Sequence, residues 1–119
     1  MAENLALAHL QSAGLRLVAR NYKTPGRGGG EVDLIMQAND KEQTLVFIEV
    51  RQRASESHGG AAASVSAAKQ RRIIFAARYY LLRLPKTPPC RFDVVSVEGE
   101  LAKSPSVVWI EGAFDAPSF

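Results

Sequence analysis

Apolar and polar positions recur with two different periods along this chain, and the switches between them mark out its elements. Ala2 to Ala13 places apolar residues at helical spacing, along either Leu7, Leu10 and Ala13 or Leu5, Ala6 and Ala13. It predicts a first helix that Gly14 ends by taking the left-handed conformation. Leu15 to Arg20, LRLVAR, alternates apolar and basic residues and predicts a strand, and NYKTPGRGGG follows as a glycine-rich loop. EVDLIM from Glu31 and LVFIEVRQR from Leu45 to Arg53 alternate in twos on either side of the turn NDKEQ, which predicts a β-hairpin. ASESHGG is a polar loop, in which His58 reads as a solvated side chain. Ala61 to Leu84 predicts a long helix with Ile73, Ile74, Ala77, Tyr80, Leu81 and Leu84 on its apolar stripe, and the prolines of LPKTPP stop it. Arg91 to Val97 and Val107 to Ile110 predict two more strands, and residues 111–119 read as an irregular tail anchored by Phe114. This order predicts an α/β fold with a mixed central sheet flanked by helices, in a single domain spanning residues 1–119.

The hairpin carries the chemistry. Side chains on a strand change face at every residue, so Glu31, Asp33 and Ile35 share one face, and Leu45, Phe47, Glu49 and Arg51 share one face of the next strand. Folding about Lys41 sets Asp33 opposite Glu49, Glu31 opposite Arg51 and Ile35 opposite Phe47. Two carboxylates about 5 Å apart repel by roughly 3 kcal/mol at an effective dielectric near 20. A hard divalent cation turns that cost into a binding site, because Mg2+ takes one or two carboxylates and keeps several waters. The alternative is that both strands show these charges to solvent, with Arg51 screening Glu31 and Glu49.

Composition narrows the setting. The chain of 119 residues is 46% hydrophobic and 23% charged, ordinary for a globular domain. Its start lacks the basic and continuous apolar regions of a signal peptide, and no apolar run approaches the ~20 residues of a membrane span. A cytoplasmic protein without a membrane partner is expected. One cysteine, Cys90, excludes an internal disulfide and a cysteine-rich zinc site, and reads as a small core residue. The net charge of +3 agrees with a polyanionic partner without demanding one. The positive charge is concentrated at Lys69, Arg71 and Arg72 on the long helix, and Arg27 and Lys23 add two cations around the glycine loop. That loop lacks the lysine–hydroxyl pattern of a nucleotide-binding P-loop. Beside an acidic metal site, these cations are candidates for phosphate contacts. Asp93 reads as the salt-bridge partner of Arg91 or another cation, and Glu3 as a first-turn acid that complements the helix dipole.

GGGEVDLI followed after a short turn by LVFIEVRQR resembles the core motif of the PD-(D/E)xK nuclease superfamily. With ENLALAHLQSAGLRLVARNY, AAKQRRIIFAARYYL, RFDVVSV and WIEGAF, nearly the whole chain resembles the uncharacterised bacterial YraN-type family, which is similar to archaeal Holliday junction resolvases. The resemblance implies a restriction-endonuclease-like fold and a Mg2+- or Mn2+-dependent nuclease acting on nucleic acid, in particular branched or structured DNA, with a homodimer as a compatible assembly. Asp33 and Glu49 would be the metal ligands, with the Val50 carbonyl as an extra one, and Glu31 would orient water or pair with Arg51. Glu3 and Gln52 are accessory positions in the same comparison. Where such nucleases carry a lysine, two residues after the second acid, this chain has Arg51. Arginine stays charged and takes no proton, so cleavage is expected to be slow or absent unless another residue such as Lys69 takes the role. The other class of function is a module that keeps the fold and binds nucleic acid or protein without cutting.

Overall fold

The computed structural model describes residues 1–53, 65–99 and 103–117. Among them the elements run α1 (Ala2–Ser12), β1 (Arg16–Lys23), β2 (Glu31–Gln37), β3 (Leu45–Arg53), α2 (Ala67–Leu81), β4 (Cys90–Glu98) and β5 (Ser106–Phe114). The strands form one mixed sheet in sequence order. β1, β2 and β3 are antiparallel neighbours, β3 and β4 are parallel, and β5 closes the sheet antiparallel to β4. The parallel pair exists because α2 carries the chain back to the starting edge, a return that a two-residue turn cannot make. This is the expected α/β architecture, and it is compatible with a restriction-endonuclease-like fold.

The two helices cover opposite faces. Ala6 and Leu10 of α1 pack with Leu34, Met36, Val46, Ile48 and Val95. Ile73, Ile74, Ala77, Tyr80 and Leu81 of α2 pack with Ile35, Phe47 and Phe92. The alternation along β2 and β3 therefore sorts residues between two cores, as a sheet buried on both faces requires. Ile35, Leu45 and Phe47 face α2, as do Glu31 and Glu49, which α2 side chains reach; Val32, though an even position, packs in the same core.

Several boundaries differ from the expectation, each for a tertiary reason. β1 continues through Asn21, Tyr22 and Lys23, which read locally as loop; pairing Tyr22 with Val32 and Lys23 with Glu31 extends it. α2 begins at Ala67, not Ala61: Val65 and Ser66 are not helical, and the Ser66 hydroxyl accepts from the Lys69 amide as the N-cap. It ends at Leu81 rather than Leu84. Residues 61–64 and His58 lie outside the described residues. Residues 111 to 114 are not irregular: β5 runs to Phe114, whose ring stacks on Phe92 with centroids 5.0 Å apart. Gly14 takes φ +99 after α1, as expected.

Candidate metal and nucleic-acid site

The hairpin register falls as predicted about Lys41, with Leu34 against Ile48, Ile35 against Phe47 and Gln37 against Leu45. This ladder stops at Leu34 and Ile48, because beyond that point β3 keeps β4 as its neighbour while β2 keeps β1. Asp33 and Glu49 stand just past the last rung, where the two strands part. The opening is bridged by a side chain: the Val50 amide donates to Asp33 Oδ2 at 2.8 Å. It is thus the N–H of Val50 that the structure shows engaged with the acid.

Glu49 is 8% exposed. Burial, the neighbouring Asp33 charge and a hydrogen bond to the Asp33 carboxyl raise its pKa from 4.5 to about 7, and Lys69 partly offsets the rise. The carboxyl pair anticipated from spacing is therefore real and poorly compensated. Lys69 comes from the first turn of α2, with Nζ 3.5 Å from Glu49 Oε2. One turn later Arg72 Nη2 lies 2.7 Å from Glu31 Oε1.

Those two contacts revise the expected roles. Glu31 does not sit opposite Arg51 in the sheet; it pairs with Lys23 of β1, and its carboxylate is held by Arg72. Arg51 is in register with Ser96 of β4. Lys69, Arg71 and Arg72 do not make one patch: Lys69 and Arg72 turn toward the carboxylates, while Arg71 lines a separate groove with Phe75, Arg78 and Asp115. Glu3 is not beside the acids, since α1 carries it on the other side and Arg20 and Asn21 take up its carboxylate. Gln52, exposed, falls on the opposite face of β3 from Glu49 by strand alternation. Arg27 lies exposed in the glycine loop.

Glu49 lies at the middle of β3, and the carboxyl-terminal halves of the parallel strands β3 and β4, the end where open α/β sheets place their ligand sites, begin there. Two further polar residues lie there that the sequence reading passed over. Ser96 and Glu98, in register with Arg51 and Arg53, are buried, and the Ser96 hydroxyl donates to Glu98 Oε2 at 3.0 Å. The polar ending of RFDVVSVE was the available signal; nothing local showed that it runs beside EVRQR.

The donor chemistry fits a hard cation. Two adjoining carboxylates, one with a raised proton affinity, are relieved by a divalent ion that keeps waters as its remaining ligands. No set of three or more His, Cys, Asp or Glu side chains among the described residues is arranged to hold a metal on protein ligands alone. No helix among those residues is long and apolar enough to cross a membrane.

The sequence profile of the uncharacterised protein family UPF0102 matches residues 2–97. The chain is 64% identical over 115 residues to a UPF0102 protein of Paracidovorax citrulli, covering 97% of this chain and 80% of that one. It is also 64% identical over 115 residues to one of Albidiferax ferrireducens, with 97% and 84% covered. For a relative from an Acidovorax species the identity is 58% over 114 residues, with 96% and 81% covered.

Proposed function

This chain belongs to the uncharacterised protein family UPF0102, and for it we propose a Mg2+- or Mn2+-dependent nuclease-like function on nucleic acid, with branched or structured DNA as the favoured substrate class. The observation that carries this reading is the Asp33–Glu49 carboxyl pair, with Glu49 buried, Asp33 half-buried and the Lys69 ammonium within reach. Bound there, the metal would polarise the scissile phosphate and acidify water. Asp33, its orientation fixed by the Val50 amide, and Glu49 would hold it. Arg51 would stabilise negative charge gathering on the phosphate, which a permanent cation does well.

Lys69 answers the missing lysine of the motif. An ammonium 3.5 Å from Glu49 stands where it can exchange that carboxylate for a water or a phosphate oxygen. A lysine side chain can give up its proton where a guanidinium does not, so proton transfer falls to Lys69 and charge stabilisation to Arg51. Cleavage of labelled duplex, single-strand and four-way-junction DNA in Mg2+ or Mn2+, against an EDTA control, tests this. The parent should cut at least one substrate, and Glu49→Gln and Lys69→Ala should not. Cutting that survives both variants would remove the assignment.

The same contacts favour a second reading. With Lys69 on Glu49 and Arg72 on Glu31, α2 itself supplies counter-ions, as in a binding module that retains the fold without a metal. Nucleic-acid binding that is identical in EDTA and Mn2+, with no cleavage of any substrate, would favour it.

A further inference from the structure

The glycine-rich loop between β1 and β2 is closed on itself. The Thr24 amide donates to the Gly30 carbonyl at 3.0 Å, and the Gly30 amide donates to the buried Thr24 hydroxyl at 2.7 Å. It is also pressed against α2: a Cβ on Gly30 would lie 2.4 Å from the Arg72 carbonyl oxygen and 2.5 Å from the Ala76 nitrogen. Only glycine allows that approach, so the loop is pinned to the helix that carries Lys69 and Arg72. Pinned this way it walls a cavity of about 310 Å3 lined by Lys23, Thr24, four glycines, Glu31 and Arg72.

The lining is cationic and rich in bare backbone. Lys23 and Arg72 stand against one carboxylate, Glu31, whose charge Arg72 already holds at 2.7 Å. Exposed Arg27 is flanked by two of the lining glycines. The side chains of Lys23 and Arg27 have no hydrogen-bond or ion-pair partner among the described residues, unlike Lys69 and Arg72. Fixed main chain without side-chain bulk, with Lys23 and Arg27 beside it and without a partner among the described residues, suits the oxygens of a phosphate ester. Glu31 of the lining is two residues from Asp33 on the same strand face, about 7 Å along the strand. Successive phosphates of a strand lie farther apart through space than their axial rise of about 3.4 Å, so this offset corresponds to a neighbouring phosphate.

We propose that the cavity between the Thr24–Gly30 loop, Lys23 and Arg72 is a phosphate subsite. It would hold a backbone phosphate next to the one at Asp33 and Glu49. The inference rests on the nucleic-acid reading above, and its test separates the two.

Inorganic phosphate, titrated into the 15N-labelled full chain, should shift the amide resonances of Gly26, Gly28, Gly29 and Gly30 saturably. The shifts should vanish in the Lys23→Ala/Arg27→Ala double variant and survive in Lys23→Arg, which keeps the charge. For a DNA duplex in Ca2+, the double variant should lose about 0.9 per lost contact from the slope of log affinity against log salt. That is on the order of tenfold in affinity per contact at 0.1 M salt. Mn2+ titration of the double variant should match the parent, showing that the fold and the carboxylate site are intact. Glycine resonances that ignore phosphate, or respond equally in the double variant, would overturn the subsite. A phosphate response with unchanged duplex affinity would overturn its assignment to a strand and leave a site for free phosphate. Loss of Mn2+ binding at Asp33 and Glu49 in the parent would sink the metal reading, not this one.

Discussion

Asp93 and Glu49 are both carboxylates buried in the same sheet, yet their surroundings differ in kind. Asp93, wholly buried on the α1 side of β4, accepts from Arg91 Nε at 2.9 Å, Arg91 Nη2 at 3.1 Å, Trp109 Nε1 at 2.9 Å and the Gly112 amide at 3.0 Å. Each oxygen is matched by donors and the charge by a guanidinium, the condition under which a buried ion is tolerated. Glu49, on the α2 side of β3, faces a second carboxyl and a lysine at 3.5 Å, and it answers by holding a proton to about pH 7. Compensation marks a structural acid; poorly compensated crowding of like charges is what makes Glu49 a candidate for a functional site.

The comparison breaks hardest at Asp93. Asp93→Ala leaves the Trp109 and Gly112 N–H groups without their acceptor and Arg91 with only Glu111, and should cost about 3 kcal/mol, the lower part of the range for a broken buried pair since Arg91 is partly solvated. Glu49→Gln should cost nothing at pH 8. Urea unfolding of both variants reads the difference, and equal losses would erase the distinction drawn between the two acids.

Metal comes next. Mn2+ at a hundredfold excess over its Kd should stabilise the parent by about 2.7 kcal/mol. Thermal unfolding should show none of this stabilisation in Asp33→Asn or Glu49→Gln, and all of it in Arg71→Ala.

The pH dependence follows from the raised pKa, and its sign is opposite to that of a salt-bridged acid. Glu49 binds its proton more tightly in the folded chain, about 7, than at the ordinary value of 4.5. Its stabilising contribution is complete below pH 4.5 and is lost as the pH rises through 7. In metal-free buffer the loss should be on the order of 2 kcal/mol. Stability measured from pH 4.5 to 8 should fall more steeply in the parent than in Glu49→Gln; parallel curves would show that the carboxyl is not perturbed.

The smallest effect belongs to Lys69, which lowers the pKa that burial and Asp33 raise. Lys69→Met should move the Glu49 titration midpoint, read by carbon-detected NMR of the carboxyl, above its parent value. A midpoint that stays or falls would show that the ammonium does not act on Glu49.

Much of this was legible along the chain. The β2–β3 register followed from the alternation of EVDLIM and LVFIEVRQR about their turn, since a shift of one residue would have exchanged the two cores. The Asp33–Glu49 pair followed from the register, and the Arg91–Asp93 pair from strand spacing. The start of α2 was not legible, because the alanine-rich run before Ser66 has helix propensity throughout and only the cap marks where the helix begins. The extension of β5 was equally hidden. Gly112 sits at φ +61, and the strand passes through it because its amide reaches buried Asp93 and Phe114 stacks on Phe92.

The chain's own pattern sufficed for the order of elements, the two-sided core and the face on which each acid lies, because side-chain direction in a strand is a local property of the backbone. The path of α2 across the sheet decided the rest: Lys69 on Glu49, Arg72 on Glu31, the glycine loop pinned beneath the helix, and Ser96 and Glu98 set beside the arginines of β3. Those meetings join residues 20 to 46 positions apart, and it is the packing of helix on sheet, rather than any local spacing, that brings them together.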